Sequence, residues 1–439
     1  MPPAFRLPAA HPERVALHNE LHARPPEPMA PPLAIAHVVM ACDALEREAS
    51  RQHLALLLRE RHLPLPDVHT IHLRMDLGVY RLRWEMHTEF VTWTFLRPLD
   101  ALPSAAAAAG GGLPATGLDA LPADWLAALP GRVLAATHLW VLAGGPAEAG
   151  ELLDAWLYED TLVGSGVAGG QGAAYTDFAL HADGFSRVVL LAGELSSRRL
   201  GRMVQRLLEV ETYRMAALLG LPAARGAAGA LGNAERELAG LAEAIRSAER
   251  HDEPQLLDRL TRLAGQVESQ YAATHSRFSA SAAYFELVDK RIADLAETRV
   301  GSLQTLGEFI ERRLSPARST CAWATRRQEA LSQRVSRVSN LLRTRVEIEQ
   351  QQSSQALLTT MNHRQDLQLK LQSTVEGLSV AAITYYIVGL VGYLAKGAQK
   401  GGWPVSPEMT MALAIPVVAL AVWASLRRLH HRIAAQGQD

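Results

Sequence analysis

The residues near the start of the chain that could do chemistry are His18-Asn19-Glu20-Leu21-His22. Two histidines at i and i+4 share a helix face and can hold zinc. The zinc-protease pattern puts its glutamate directly after the first histidine, where it acts as general base. Here Glu20 stands two residues on, pointing away from both histidines, and Pro12, Pro25 and Pro26 leave little room for a helix. The segment reads instead as part of a Pro/His-rich arm over residues 1–32. The run Gly164-Ser165-Gly166-Val167-Ala168-Gly169-Gly170-Gln171-Gly172 lacks the Gly-Lys-Ser/Thr ending of a phosphate loop. It precedes strand-like residues, Tyr175 to Leu180, where that motif needs a helix, so it reads as a turn between strands. No nucleophile elbow stands in a supporting context, and Cys42, in an apolar strand, reads as a small core residue. No catalytic group, metal or cofactor is expected, and the chain does not read as an enzyme.

A second set of residues lies near the C-terminus. Ser379, Ala382, Tyr386, Gly389, Tyr393 and Lys396 recur at steps of three and four, hence on one helix face. That face is small and polar, while Ile383, Ile387, Leu390, Val391 and Leu394 cover much of the rest. In lipid, small residues let helices approach closely and hydroxyls seek interhelical partners. The face is either a helix–helix interface or the lining of a pore. A cation path wants carbonyls or carboxylates. This face has none, Lys396 sits at its outer end, and Gly392 and Glu408 mark the outer turn.

The elements that position this face are two apolar runs. Gly377 to Ala395 and Met409 to Leu426 carry no charge and are each long enough, roughly 27–28 Å as helix, to cross a bilayer. The expected spans are 376–396 and 409–426, joined by a turn rich in glycine and proline. A basic tail, 427–439, holds Arg427, Arg428 and Arg432, and Arg364 and Lys370 precede the first span. Flanks rich in Lys and Arg stay in the cytoplasm, so both termini are expected there and the loop outside. Met1 to Ala10 has no apolar core of signal-peptide length. The expected location is the bacterial inner membrane.

Upstream, residues 33–222 read as an α+β cytoplasmic domain. Leu33 to Ala41 is an apolar run of strand length. Asp43 to Arg61 has helical spacing. Val68 to Leu96 alternates as two or three antiparallel strands turning near Gly78 and His87. Residues 101–120 are Ala/Gly/Pro-rich, expected as a floppy surface insertion. A short helix near Trp125, a strand from Val133 to Leu142 and a hairpin about Asp183-Gly184 follow. A helix from Ser196 to Leu219 is expected to stop at Gly220 and Pro222.

Residues 233–375 read as a long helical hairpin, or stalk. Ser315-Pro316 resembles an N-cap followed by first-turn proline, and no glycine occurs from Glu308 to Glu376. One helix from Pro316 into the first span would be roughly 120 Å long. Leu331, Val335, Val338, Leu342 and Val346 form a packing seam that resumes at Leu357, Met361, Leu371, Val375 and Leu378. The earlier helix, Gln255 to Leu314, is the expected antiparallel partner. Net charge is −1 over 439 residues, without the basic face of a nucleic-acid binder. Two distant cysteines give no disulfide framework and fit a reducing compartment.

Four blocks carry a whole-chain resemblance: His18-Asn19-Glu20-Leu21-His22-Ala23-Arg24-Pro25-Pro26; Thr176-Asp177-Phe178; Asp183-Gly184-Phe185-Ser186-Arg187; and Gly201 through Arg214. They resemble the signature blocks of a bacterial family of uncharacterised membrane-anchored proteins, a domain of unknown function. The resemblance implies a membrane anchor and no activity. In architecture the last third is similar to the CorA-type magnesium channels, whose first span ends in Gly-Met-Asn. The matching place here reads Gly392-Tyr393-Leu394, so the asparagine of the ion-selecting mouth is absent. This likeness implies a pentamer. Together these readings give a membrane-anchored homo-oligomer with the bilayer as partner, moving an ion or small solute, or alternatively a non-conducting scaffold or sensor.

Overall fold

The computed structural model describes residues 8–15, 17–18, 25–100, 114–145, 150–248, 252–402, 404 and 406–436. Most of the His18–Pro26 block, residues 101–113 of the insertion and the end of the basic tail lie outside the described residues. Two compact units divide the chain. The first holds residues 1–248 and 258–339, the second 249–257 and 340–439.

In the first unit, alternating strands build one nine-stranded sheet. Its elements in chain order are β1 (Leu33–Ala41), α1 (Ala44–Glu60), β2 (His72–Asp76), β3 (Arg81–Met86), β4 (Phe90–Pro98), α2 (Ala123–Ala127), β5 (Arg132–Leu142), α3 (Gly150–Trp156), β6 (Val163–Val167), β7 (Gly172–Thr176), β8 (Ser186–Leu191), α4 (Ser197–Leu218), α5 (Gly220–Ser247), α6 (Glu253–Asp294), β9 (Thr298–Arg299) and the start of α7 (Leu306–Lys400). The strand order is β2-β3-β4-β1-β5-β8-β7-β6-β9. Only β5 and β8 pair in parallel; the other neighbours are antiparallel. β1 lies centrally and is covered on both faces, which is why its sequence is a nearly unbroken apolar run.

On one face α4 packs Leu200, Met203, Val204, Leu207 and Leu208 against Ile35, Leu139, Val188 and Leu190. On the other, α1 sets Leu54, Leu57 and Leu58 on Val38, Leu82, Trp84 and Trp93. α3 adds Leu153 and Trp156 against Trp140 and Val189. α1 begins in a capping box: Asp43 Oδ1 accepts from Glu46 N at 2.8 Å, and Glu46 Oε2 from Asp43 N at 2.9 Å.

Three expectations need correction. The helix from Ser196 ends at Leu218, but Gly220-Pro222 do not break the helical path, because a second helix starts at once. Leu219 keeps right-handed helical angles (φ −60°, ψ −23°) and α4 passes directly into α5. Pro222 falls in the first turn of α5, where its missing N–H costs nothing. Gly220 serves packing, because a Cβ there would lie 2.6 Å from Ser281 Oγ and 3.1 Å from Cys321 Sγ.

The break between the long helices also lies elsewhere than Ser315-Pro316. α6 ends at Asp294, β9 joins the sheet edge beside β6, and α7 starts at Leu306 and runs through Pro316. Ala296 (φ 48°) and Gly301 (φ 55°) make the turn. A second capping box closes it: Thr305 Oγ1 accepts from Glu308 N at 3.1 Å, and Glu308 Oε2 from Thr305 N at 3.2 Å.

The third correction concerns the insertion. Its described end is built into the fold. Thr116 and Asp119 bond to each other, and Leu118 packs on the α1-side core.

α6, which ends at Asp294 rather than at Leu314, lies beside α7. Gln328 Nε2 donates to Thr274 Oγ1 at 2.9 Å, Arg318 meets Asp289 at 2.6 Å, and Ser332 Oγ donates to Glu268 at 2.6 Å. α5 joins the layer through Arg327 and Glu235.

In the second unit, α7 continues to Lys400 and α8 (Pro407–Gln436) follows a short turn. Thr384, Val388 and Gly392, at steps of four, are the buried residues of the last part of α7. A Cβ on Gly392 would lie 2.5 Å from Met411 Sδ, so this glycine lets α8 approach. Residues 351–375 are exposed without exception.

Candidate functional site

Two places in the molecule depart from ordinary packing, one in each unit.

The first is a row of polar side chains crossing the sheet on the α4 side. Arg74 of β2 stands opposite Arg83 of β3, Arg83 opposite Thr94 of β4, Thr94 opposite His37 of β1, His37 opposite Thr137 of β5, and Thr137 opposite Ser186 of β8. Directly opposite residues point to the same face, so register alone lines these six up. His37 Nδ1 pairs with Thr94 Oγ1 at 2.8 Å and Nε2 with Thr212 Oγ1 at 3.0 Å. Ser186 Oγ lies 2.9 Å from Thr137 Oγ1 and donates to Glu211 Oε2 at 3.0 Å. Arg214 grips both oxygens of Glu211, at 2.8 and 2.6 Å.

Burial, with the Arg83 charge next in size, pushes the His37 pKa down to about 3. The imidazole is therefore neutral and holds two hydroxyls rather than a charge. Arg83 is itself buried and meets Glu85 at 2.9 Å.

The signature blocks converge here. Phe178, with a left-handed backbone (φ 52°), stacks on Phe309 at 4.7 Å and lies under the Arg214 guanidinium at 5.2 Å. Thr176 Oγ1 donates to the Arg187 carbonyl at 2.7 Å. Asp177 accepts from His181 Nε2 at 2.8 Å and from Tyr158 N at 3.0 Å. Gly201 is the point where the arm crosses α4, since a Cβ there would run into the Glu27 carbonyl. The arm is held further by Arg81 on Glu27 at 3.1 Å and by Arg74, whose Nη2 donates to the Pro25 carbonyl.

The motif reading passed over this row. Its signal was present as polar residues at every second position of apolar strands: Arg83 and Glu85 around Trp84, Thr92 and Thr94 around Trp93, and His37 alone in β1. Among the described residues no group of three His, Cys, Asp or Glu side chains is placed to hold a metal. Of the Gly164–Gly172 run, Gly164 to Val167 belong to β6 and Gly172 to β7, and the turn between them is Ala168 to Gln171, with Ala168, Gly169 and Gly170 all at positive φ.

The second place is the face singled out on the last part of α7. Tyr386 and Tyr393 are exposed, at 72% and 76%, and a Cβ on Gly389 would meet nothing within 4 Å. Ser379 Oγ donates back to the Val375 carbonyl at 2.8 Å. Ala382, Lys396 and Glu408 are also exposed. The buried positions of this part of α7 are Thr384, Val388 and Gly392, about a third of a turn away. Between the two faces runs a groove of about 840 Å³ lined by Thr384, Tyr385, Gly389 and Tyr393 of α7 and Met411 and Ile415 of α8.

The family described as "Protein of unknown function (DUF3422)" matches residues 9–433. The chain belongs to this family. No curated protein and no solved structure matches it. The chain combines a mixed α/β sheet domain with long C-terminal helices. Among the described residues, three helical stretches are long and apolar enough to cross a membrane by length and composition: Ser197–Ser247, Leu306–Lys400 and Pro407–Arg428. Two were expected. The additional stretch is α4 with α5, whose Val210, Ala217 and Ala224 are part of the helical core with Phe278, Phe285 and Ile310.

Proposed function

We propose that the protein is anchored in the bacterial inner membrane by the end of α7 and by α8, and that it works as a homo-oligomer passing an ion or small solute between its copies. One observation carries this reading. Leu371, Val375, Leu378, Ala382, Tyr386 and Tyr393 form an exposed stripe, passing the half-buried Gly389, that starts in the polar part of α7 and ends in its apolar part. A partner covering such a stripe throughout must itself pass from water into lipid at the same height. The same helix of another copy, lying parallel, meets that requirement without a second component. Small residues at Ala382 and Gly389 favour close approach, and the tyrosine hydroxyls need partners once lipid excludes water.

Flux tests the reading. Full-length protein reconstituted in vesicles is expected to release Mg²⁺ or K⁺ faster than protein-free vesicles, and Gly389→Leu, which fills the open position, to abolish the difference. Absence of flux from a correctly assembled oligomer overturns transport. The absence of a carboxylate on this face, with Lys396 at its end, favours a second reading in that case. The protein is then a membrane-tethered scaffold or sensor whose α/β unit binds the partner.

A further inference from the structure

At the β2 end of the polar row, beside the Glu85 carboxylate, four buried atoms able to donate have no hydrogen-bond partner: His72 Nδ1, Arg74 Nε, Arg83 Nε and Thr92 Oγ1. They occupy two adjacent rows of three adjacent strands, because His72 stands opposite Glu85 and Glu85 opposite Thr92, while Arg74 stands opposite Arg83. Buried polar groups are nearly always paired, so four together on one patch require an explanation. Two guanidiniums directly opposite across an antiparallel pair also repel. Glu85 and Glu27 supply two carboxylates against the three guanidiniums of Arg74, Arg81 and Arg83. Burial, and after it the Arg83 charge, lowers the pKa of Arg74, as expected for a cation short of negative charge.

The two arginine Nε–H groups can only donate, and the imidazole and hydroxyl can also donate. The geometry points to a binding site for a small oxyanion, a phosphate or carboxylate group, held between β2, β3 and β4 by His72, Arg74, Arg83 and Thr92. An oxyanion satisfies all four atoms at once and supplies the missing charge, through charge-assisted hydrogen bonds. A bound water would satisfy some of the atoms but would leave the two guanidiniums facing each other. The site stands whether or not α7 and α8 cross a bilayer, since it is built wholly within the α/β unit.

Titration calorimetry on the full-length protein in detergent, with inorganic phosphate in one arm and succinate in the other, tests the assignment. Saturable binding of one anion per chain is expected, and the arm that binds identifies the class. Arg74→Gln, at the half-exposed rim, is expected to weaken that binding at least tenfold. Arg83→Lys, which keeps the charge but removes the Nε donor, is expected to weaken it similarly. Arg97→Gln, on β4 but paired with Asp119 elsewhere, should leave it within twofold. If Arg83→Lys does not fold, Arg74→Gln and Thr92→Val carry the comparison. Failure of both anions to bind saturably overturns the site, and so does binding that survives Arg74→Gln unchanged.

Discussion

His37 and His138 enter the sheet without their protons, and this makes the stability of the α/β unit depend on pH. Unfolded, each takes up a proton near pH 6.5. Folded, burial holds His37 down to about 3 and His138 to about 4. Between these values the unfolded chain binds more protons than the folded one, so stability rises with pH through the window and is lost as pH falls below 6.5. At pH 5 each histidine costs about 2 kcal/mol of stability relative to neutral pH. His138 offers the cleaner test. It stacks on Phe185 at 4.0 Å and its buried Nδ1 has no partner, so phenylalanine replaces it without breaking a hydrogen bond. His138→Phe is expected to unfold at or above the wild-type temperature at pH 7.5 and to recover about half of the histidine contribution to the loss between pH 7.5 and 5. Thermal unfolding of the full chain at both pH values checks this, and an unchanged pH dependence would show that the imidazole is not buried neutral. His37→Ala should be damaging at every pH, since it leaves the buried Thr94 hydroxyl without its partner, although Thr212 keeps the Leu208 carbonyl.

At the scale of elements, the exposed seam of α7 yields a positional prediction. A single helix with residues 351–375 wholly exposed lacks the tertiary contacts that supply most helix stability. If identical seams face one another, a cysteine at Val375 meets its copy, whereas one at Ser373, on the far side, does not. The native Cys42 and Cys321 are buried and leave the background clear. Mild oxidation of membranes should therefore link Val375→Cys into dimers on a non-reducing gel and leave Ser373→Cys monomeric. Equal linking at both positions would argue against a seam. Much of this element structure was legible in the chain. β1 matched its expected ends because a doubly covered strand is one apolar run, and β2 to β4 turn where Gly78 and His87 placed them. The break before α7 was misplaced because Pro316 looked like a helix start. The true signal, Thr305 followed three residues later by Glu308, is a capping box quieter than a proline. The polar row was not legible as a site, since its six members come from six strands and only register assembles them. Seen one strand at a time, each was an ordinary alternating position.

For the whole molecule, composition nominates three stretches for the bilayer, and packing separates them. α4 and α5 carry Arg206, Glu209, Glu211, Arg214 and Arg225, and Arg206, Glu209 and Glu211 already have partners within the α/β unit: Arg206 donates to the Asp294 carbonyl at 2.7 Å, Glu209 pairs with Arg291, and Glu211 with Ser186. Moving those charges to the bilayer centre would cost several kcal/mol and would dismantle the sheet's cover. α8 has the highest mean hydropathy of the three, 2.1, with none of that window buried, and the apolar window of α7 is 17% buried. Exposed apolar surface on that scale is what the proposed anchoring in lipid would cover. Washing membranes with alkaline carbonate should therefore leave the full-length protein in the pellet, and detergent should release it. The same two helices fix the chain's path if basic flanks stay inside. Gln399→Cys, between the spans, should then react with a membrane-impermeant maleimide from outside the inner membrane, and Ala434→Cys only after permeabilisation. Labelling of both from outside would invert the hairpin, and release of the protein by carbonate alone would remove it from the bilayer altogether.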